Sequence, residues 1–177
     1  PVLGILLGYS YAKRFTALSH FWLGLALMLA PVSAWIAIRG TLVMAAPADL
    51  VPAIALGVAV LLWVAGFDII YASQDAEFDR KAGLHSLPAF LGRKNAFRLA
   101  VFFHAIAFVL FTLTGYLQGL HALYYVGIIV TGTALFYQHL IVNPRDLSRI
   151  QVSFFSMNGL ISLTLFLVTC LSLFITG

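Results

Sequence analysis

Charge is what this chain lacks most. Of its 177 residues, 9% are charged and 62% hydrophobic, with a mean hydropathy of +1.02. A soluble domain carries about 25% charged residues, so a water-soluble globule is excluded. Apolar runs of about 20 residues point to a bilayer as the solvent. Cysteine is nearly absent too: Cys170 stands alone in an apolar run. That excludes an intrachain disulfide and a cysteine metal cluster and leaves a small packing residue. The pI near 9.5 would suit nucleic acid, but no RNA-binding motif or clustered basic face accompanies it. No nucleic-acid partner and no obligate protein partner are therefore expected. No basic leader or small-residue cleavage site marks a signal peptide. The first residues read instead as the end of an apolar helix, as in a fragment of a longer protein.

What is there is a set of membrane spans. Val2 to Tyr11 reads as the end of one span. Five full spans follow: Leu18 to Ile38, Leu50 to about Ala72, Ala96 to Leu117, Ala122 to Val142 and Val152 to Ile175. The expected fold is all-α, a polytopic transmembrane helix bundle forming one domain over residues 1–177. The basic residues support this count. Lys13 and Arg14 fall in the first connector, and Arg80, Lys81, Arg93, Lys94 and Arg98 in or beside the third. Arg145 and Arg149 fall in the fifth, while the second holds only Arg39 and the fourth none. Lysine and arginine concentrate on cytoplasmic loops, so the odd connectors are expected to face the cytoplasm. The protein is expected in the bacterial inner membrane.

The acids are the second scarcity, and they are not scattered. Of six in the chain, Asp68, Asp75, Glu77 and Asp79 lie within one stretch at the end of the third span. On a continuous helix at about 3.6 residues per turn, Asp68, Tyr71, Asp75 and Asp79 share one face, with Glu77 opposite. Asp75 and Asp79 would lie about 6 Å apart along the axis, where like charges repel. A cation between them reverses that sign. Oxygen ligands suit Mg²⁺, which joins one or two carboxylates to a substrate phosphate. Asp68 lies deeper, and acids at membrane depth usually face a cavity and mark a functional site. Gly83 is expected to end the acidic helix. Ser86 and Pro88 suit the cap and first turn of a short next helix, making Gly83–Gly92 a structured lid. His85 there reads as structural or catalytic alike, and His104 and His139 as structural.

The stretch "DIIYASQDAEFDRKAGLHSLPAFLG" resembles the second aspartate-rich motif of the UbiA-type intramembrane prenyltransferase superfamily. "GYSYAKRFT" resembles the family's Tyr-x-x-x-Lys-Arg segment. "HLIVNPRDLSRIQVSFFSMNG" looks like the late loop and last helix of its 4-hydroxybenzoate polyprenyltransferase-like branch. The resemblance implies a nine-helix fold of which this chain is the C-terminal part, from the tail of helix 4 through helices 5 to 9. The first aspartate-rich motif falls outside it, so the chain alone is expected to be inactive. It also implies Mg²⁺ held by Asp75 and Asp79, with a polyprenyl diphosphate and an aromatic acid as substrates. Tyr9, Lys13 and Tyr71 are then substrate-binding residues, and Asp68 is catalytic, orienting the acceptor or taking its proton. Lys13 is read equally as a positive-inside anchor. The acceptor implied is 4-hydroxybenzoate, in ubiquinone synthesis, or else a related aromatic acid in menaquinone synthesis. An ion-coupled transporter would also place acids inside a bundle, but it should show paired helix breaks in two halves, which the sequence lacks.

Overall fold

The computed structural model describes residues 2–176, apart from the side chains of Val2, Leu6, Tyr9, Ser10 and Thr176. It is a helical bundle. Among the described residues there is no strand, only an isolated bridge between Asn143 and Asp146. The helices are α1 (Val2–Ala12), α2 (Ser19–Ala45), α3 (Val51–Ala72), α4 (Ala76–Lys81), α5 (Leu87–Leu91), α6 (Arg93–Leu117), α7 (Ala122–Ile141) and α8 (Asn158–Thr176). A π-helical turn, Val152–Met157, leads into α8.

Among the described residues, four stretches are long and apolar enough to cross a membrane: Ser19–Ala45, Pro47–Ala72, Arg93–Leu117 and Val152–Ile175. Five full spans were expected. The fifth is α7, whose 20 residues reach about 30 Å at 1.5 Å per residue. It falls short in hydropathy because Gln138, His139 and three tyrosines interrupt it. Helix α2 also runs past its expected end at Ile38. It kinks at Arg39 (φ −114°, ψ 16°) and continues to Ala45. Arg39 then closes a two-pronged pair on Asp49, with Nη2 to Oδ1 at 2.6 Å and Nε to Oδ2 at 2.9 Å. Trp35 Nε1 donates to the same carboxylate at 2.9 Å. The one basic residue on an even connector is therefore neutralised, which sharpens the charge asymmetry between the two ends of the bundle.

Helix α3 is the centre, packed against α2 on one side and α6 on another, with α7 lying on α8. Its buried positions are largely Ala and Gly, as expected where lipid gives no hydrophobic drive between helices and close backbone approach is what binds them. The tightest approach to another backbone is at Gly24 of α2, where a Cβ would lie 2.5 Å from the Leu61 carbonyl oxygen. A backbone atom cannot step aside. Gly24→Ala is expected to destabilise the bundle by about 1–3 kcal/mol through overpacking, read as a lower melting temperature in detergent. Gly4→Ala, where nothing lies within 4 Å, should leave it unchanged. Large apolar side chains such as Phe102, Phe136, Phe166 and Phe174 stand exposed on the outside, where acyl chains rather than water meet them.

Candidate functional site

The acidic stretch is not one continuous helix. Helix α3 ends at Ala72, residues 73–75 turn, and α4 starts at Ala76. Two contacts set the break. Ser73 Oγ donates back to the Ile69 carbonyl at 3.0 Å. The Arg93 guanidinium, arriving from α6, donates to the Ser73 carbonyl at 3.0 Å. The turn gives the two aspartates different surroundings. Asp75 is exposed beside the start of α4, with no capping bond from its side chain. Asp79 is 2% exposed.

The turn chemistry after α4 forms as its residues demand. Gly83 adopts φ +67°, and the Leu84 N–H reaches back to the Asp79 carbonyl at 2.8 Å, a Schellman-type closure. Ser86 Oγ accepts from the Ala89 N–H at 3.3 Å, and Pro88 stands in the first turn of α5. The segment is thus an ordered lid, and it is tied down by the connector after α1. The His85 N–H donates to the Lys13 carbonyl at 2.7 Å, while the His85 side chain is exposed.

That connector and the start of α2 bring two side chains to the acids. Lys13 Nζ lies 3.6 Å from Asp79 Oδ2. This is an ion-pair distance but not a hydrogen bond, and Asp79 Oδ2 has no hydrogen-bond partner among the described residues. His20 is fully buried, and its Nδ1 sits 2.6 Å from Asp68 Oδ2. Its Nε2 faces the Leu87 N–H at 3.3 Å. A backbone N–H can only donate, so Nε2 accepts and Nδ1–H donates to Asp68. One ring therefore fixes the deep carboxylate and pins the lid. His20 carries no motif that singles it out in the sequence. The available signal was an ionisable residue at the membrane end of a span, which by default marks function.

Tyr71 does not reach Asp68 by a hydrogen bond. Its ring leans on Phe154 of the π-helical turn, with centroids 4.3 Å apart. Phe154 meets Phe67 edge-on at 5.3 Å, Phe67 meets Trp63 at 5.6 Å, and Trp63 meets Phe111 at 6.2 Å. These rings make one aromatic wall running from the acidic end into the bilayer. Trp63, Phe67 and Phe154 border a cavity of about 440 Å³ between α2, α3 and α8, with Asn158 also lining it. Trp63 Nε1 donates to Asn158 Oδ1 at 3.2 Å. π-Helical turns often occur at functional sites, and nothing in the sequence signalled this one. The Tyr9 side chain lies outside the described residues.

The donor set fits a divalent cation of the magnesium type. Asp79 presents a buried, unsatisfied carboxylate oxygen, and Asp75 a free carboxylate one helical turn away. No group of three or more His, Cys, Asp or Glu side chains converges among the described residues. Two carboxylates leave most of the coordination sphere to water and phosphate oxygen, as Mg²⁺ prefers. His104 and His139, expected to be structural, pair with each other at 2.9 Å, and His104 Nε2 donates to the Trp63 carbonyl at 3.2 Å.

A model of the UbiA prenyltransferase family matches residues 1–174. A 4-hydroxybenzoate octaprenyltransferase of Francisella tularensis subsp. mediasiatica is 26% identical over 160 residues, covering 90% of this chain and 53% of that protein. A polyprenyl transferase of an Arthrinium species is 39% identical over 84 residues, 48% of this chain and 26% of that protein. The apo structure of a UbiA homolog from Aeropyrum pernix superposes with a TM-score of 0.82 at 32% identity, over 97% of this chain and 62% of that one. The chain spans about half the length of the curated relatives it matches.

Proposed function

The chain belongs to the UbiA prenyltransferase family, and from that premise we propose that its protein transfers a polyprenyl group from polyprenyl diphosphate to an aromatic acid, 4-hydroxybenzoate, in ubiquinone synthesis. On this reading residues 1–177 are the C-terminal part of a single UbiA-like domain in the bacterial inner membrane, with the acids at the cytoplasmic end. The observation that carries the reading is Asp79 Oδ2, a buried oxygen without a hydrogen bond on a segment tied to the end of an aromatic-walled cavity.

Asp75 and Asp79 are the residues that would hold Mg²⁺, which when bound neutralises charge growing on the leaving diphosphate. Lys13, already 3.6 Å from Asp79, adds a mobile cation for the same phosphate oxygens. Tyr9 is assigned to the border of that substrate pocket. The wall from Tyr71 to Trp63 takes the isoprenoid chain, and its ring faces favour positive charge, which develops on the allylic carbon as the carbon–oxygen bond breaks. Carbon–carbon bond formation at the acceptor ring then releases one ring proton. Asp68, held by His20 Nδ1–H, is positioned to orient the acceptor or to take that proton. The lid over His20 and Lys13 limits water at the reacting carbon.

The test is product formation in liposomes by the whole purified protein, including the N-terminal helices that the resemblance implies, with labelled geranyl diphosphate, 4-hydroxybenzoate and either Mg²⁺ or EDTA. The expected result is a prenylated acid with Mg²⁺ and none with EDTA. No prenyl transfer to a panel of aromatic acids, including those of the menaquinone route, with short or long donors, would sink the proposal.

A further inference from the structure

A second hollow lies between α6 and α7, away from the acids. It is a groove of about 680 Å³ bordered by Ala105, Phe108, Val109, Ile129 and Phe136, within the size range of ligand sites. It opens sideways, because Val109, Ile129 and Phe136 are all exposed. Where α6 begins and α7 ends, the groove shares Val101 and His139 with a smaller hollow. That hollow is bounded by Lys94, Arg98, Asn143 and Pro144. Lys94, Asn143 and Pro144 also border a third hollow, which adds Arg93 and Arg145. One track therefore runs from apolar to cationic, and its cationic end lies where α6 begins and α7 ends.

The charges at that end differ in what they already do. Arg93 is engaged, with Nε on the Ser73 carbonyl and Nη2 3.6 Å from Glu77. Lys94, Arg98 and Arg145 have no carboxylate partner among the described residues. Arg145 is nevertheless held in place. Asn143 Oδ1 accepts from the N–H groups of Arg145 and Asp146 at 2.9 and 3.0 Å. The nearby acid, Asp146, is engaged with Ser148: the Ser148 hydroxyl and its N–H, the latter at 2.9 Å, hold its carboxyl below the usual carboxylate range.

Cationic anchors at helix ends are general in membrane proteins. What is particular here is three unpaired cations set over a preformed apolar groove, the arrangement by which basic pockets between helices take lipid headgroups. We propose that the track binds an anionic glycerophospholipid, its phosphate on Lys94, Arg98 and Arg145 and its acyl chains in the groove between α6 and α7.

Native mass spectrometry of the purified protein from vesicles of equal phosphatidylcholine and phosphatidylglycerol tests this. The expected result is selective retention of phosphatidylglycerol. Retention should fall at least about tenfold in Lys94→Gln/Arg98→Gln/Arg145→Gln, since each cation near the surface contributes appreciably to anionic-lipid attraction. Ala105→Trp fills the exposed groove while leaving the cations in place, and should also lose the lipid. Lys81→Gln, at the same end of the bundle, should not. Equal retention of phosphatidylcholine would overturn the proposal, as would unchanged retention by Ala105→Trp. Displacement of the lipid by geranyl diphosphate would reassign the groove to the substrate.

Discussion

Asp79→Asn is expected to lower prenyl transfer at least about 100-fold, or about 2.7 kcal/mol of transition-state stabilisation, without lowering the melting temperature. The argument starts from cost. Asp79 is 2% exposed, and its Oδ2 has no hydrogen bond. Lys13 Nζ at 3.6 Å is a loose partner, and the lysine is itself 36% exposed. A buried, under-satisfied carboxylate weakens a fold, so the amide, of similar volume and uncharged, should leave stability equal or higher. Lys13 then turns to water. A residue that burdens the fold in this way is best explained by what it binds, a stability–function trade seen at active sites. Asp75→Asn should lose activity too, but with no gain in stability, because Asp75 is already exposed. Chromatography of the prenylated acid beside a detergent melting curve gives both readouts. More than a tenth of wild-type activity in Asp79→Asn would remove Asp79 from the metal site.

Much of this architecture was legible in the sequence because it depends on local patterns. The spans follow from apolar runs near the thickness of a bilayer. Gly83, Ser86 and Pro88 carry turn and cap chemistry that needs no distant partner. Asp68 announced itself as an acid at membrane depth. What the sequence hid was set by contacts across the bundle. The break at Ser73 has no Gly or Pro to mark it, and it depends on Arg93 from another helix. His20 and Asp68 meet across 48 positions, and His104 and His139 across 35. The shared face of Asp68, Tyr71, Asp75 and Asp79 rests on a straight helix, and the turn at 73–75 separates the first two from the last two, leaving Asp79 buried and Asp75 exposed. The π-helical turn that offers Phe154 to Tyr71 is a backbone irregularity without a residue signature.

His20→Ala is expected to produce two losses at once: turnover about 10- to 100-fold lower, as when a partner that orients a functional group is removed, and weaker protection of the chain beside the lid from trypsin. Both follow from one ring with two bonds. Nδ1–H holds Asp68 at 2.6 Å, and Nε2 takes the Leu87 N–H at 3.3 Å. Truncation leaves a deep carboxylate without its donor and a buried backbone N–H without its acceptor. Each such orphan costs about 1–3 kcal/mol. The second cost falls on the lid and is relieved when the lid lifts, which brings the exposed Arg80 and Lys81 within reach of a protease. His20→Gln keeps one donor and one acceptor on the same side chain and should restore part of both properties. The split between kcat and KM separates the two bonds. Loss of Asp68 orientation falls mainly on kcat, whereas a lifted lid also raises KM for the diphosphate. A His20→Ala protein with wild-type cleavage and wild-type kcat would show that the ring only fills space. Loss of kcat with an intact lid would assign His20 to Asp68 alone.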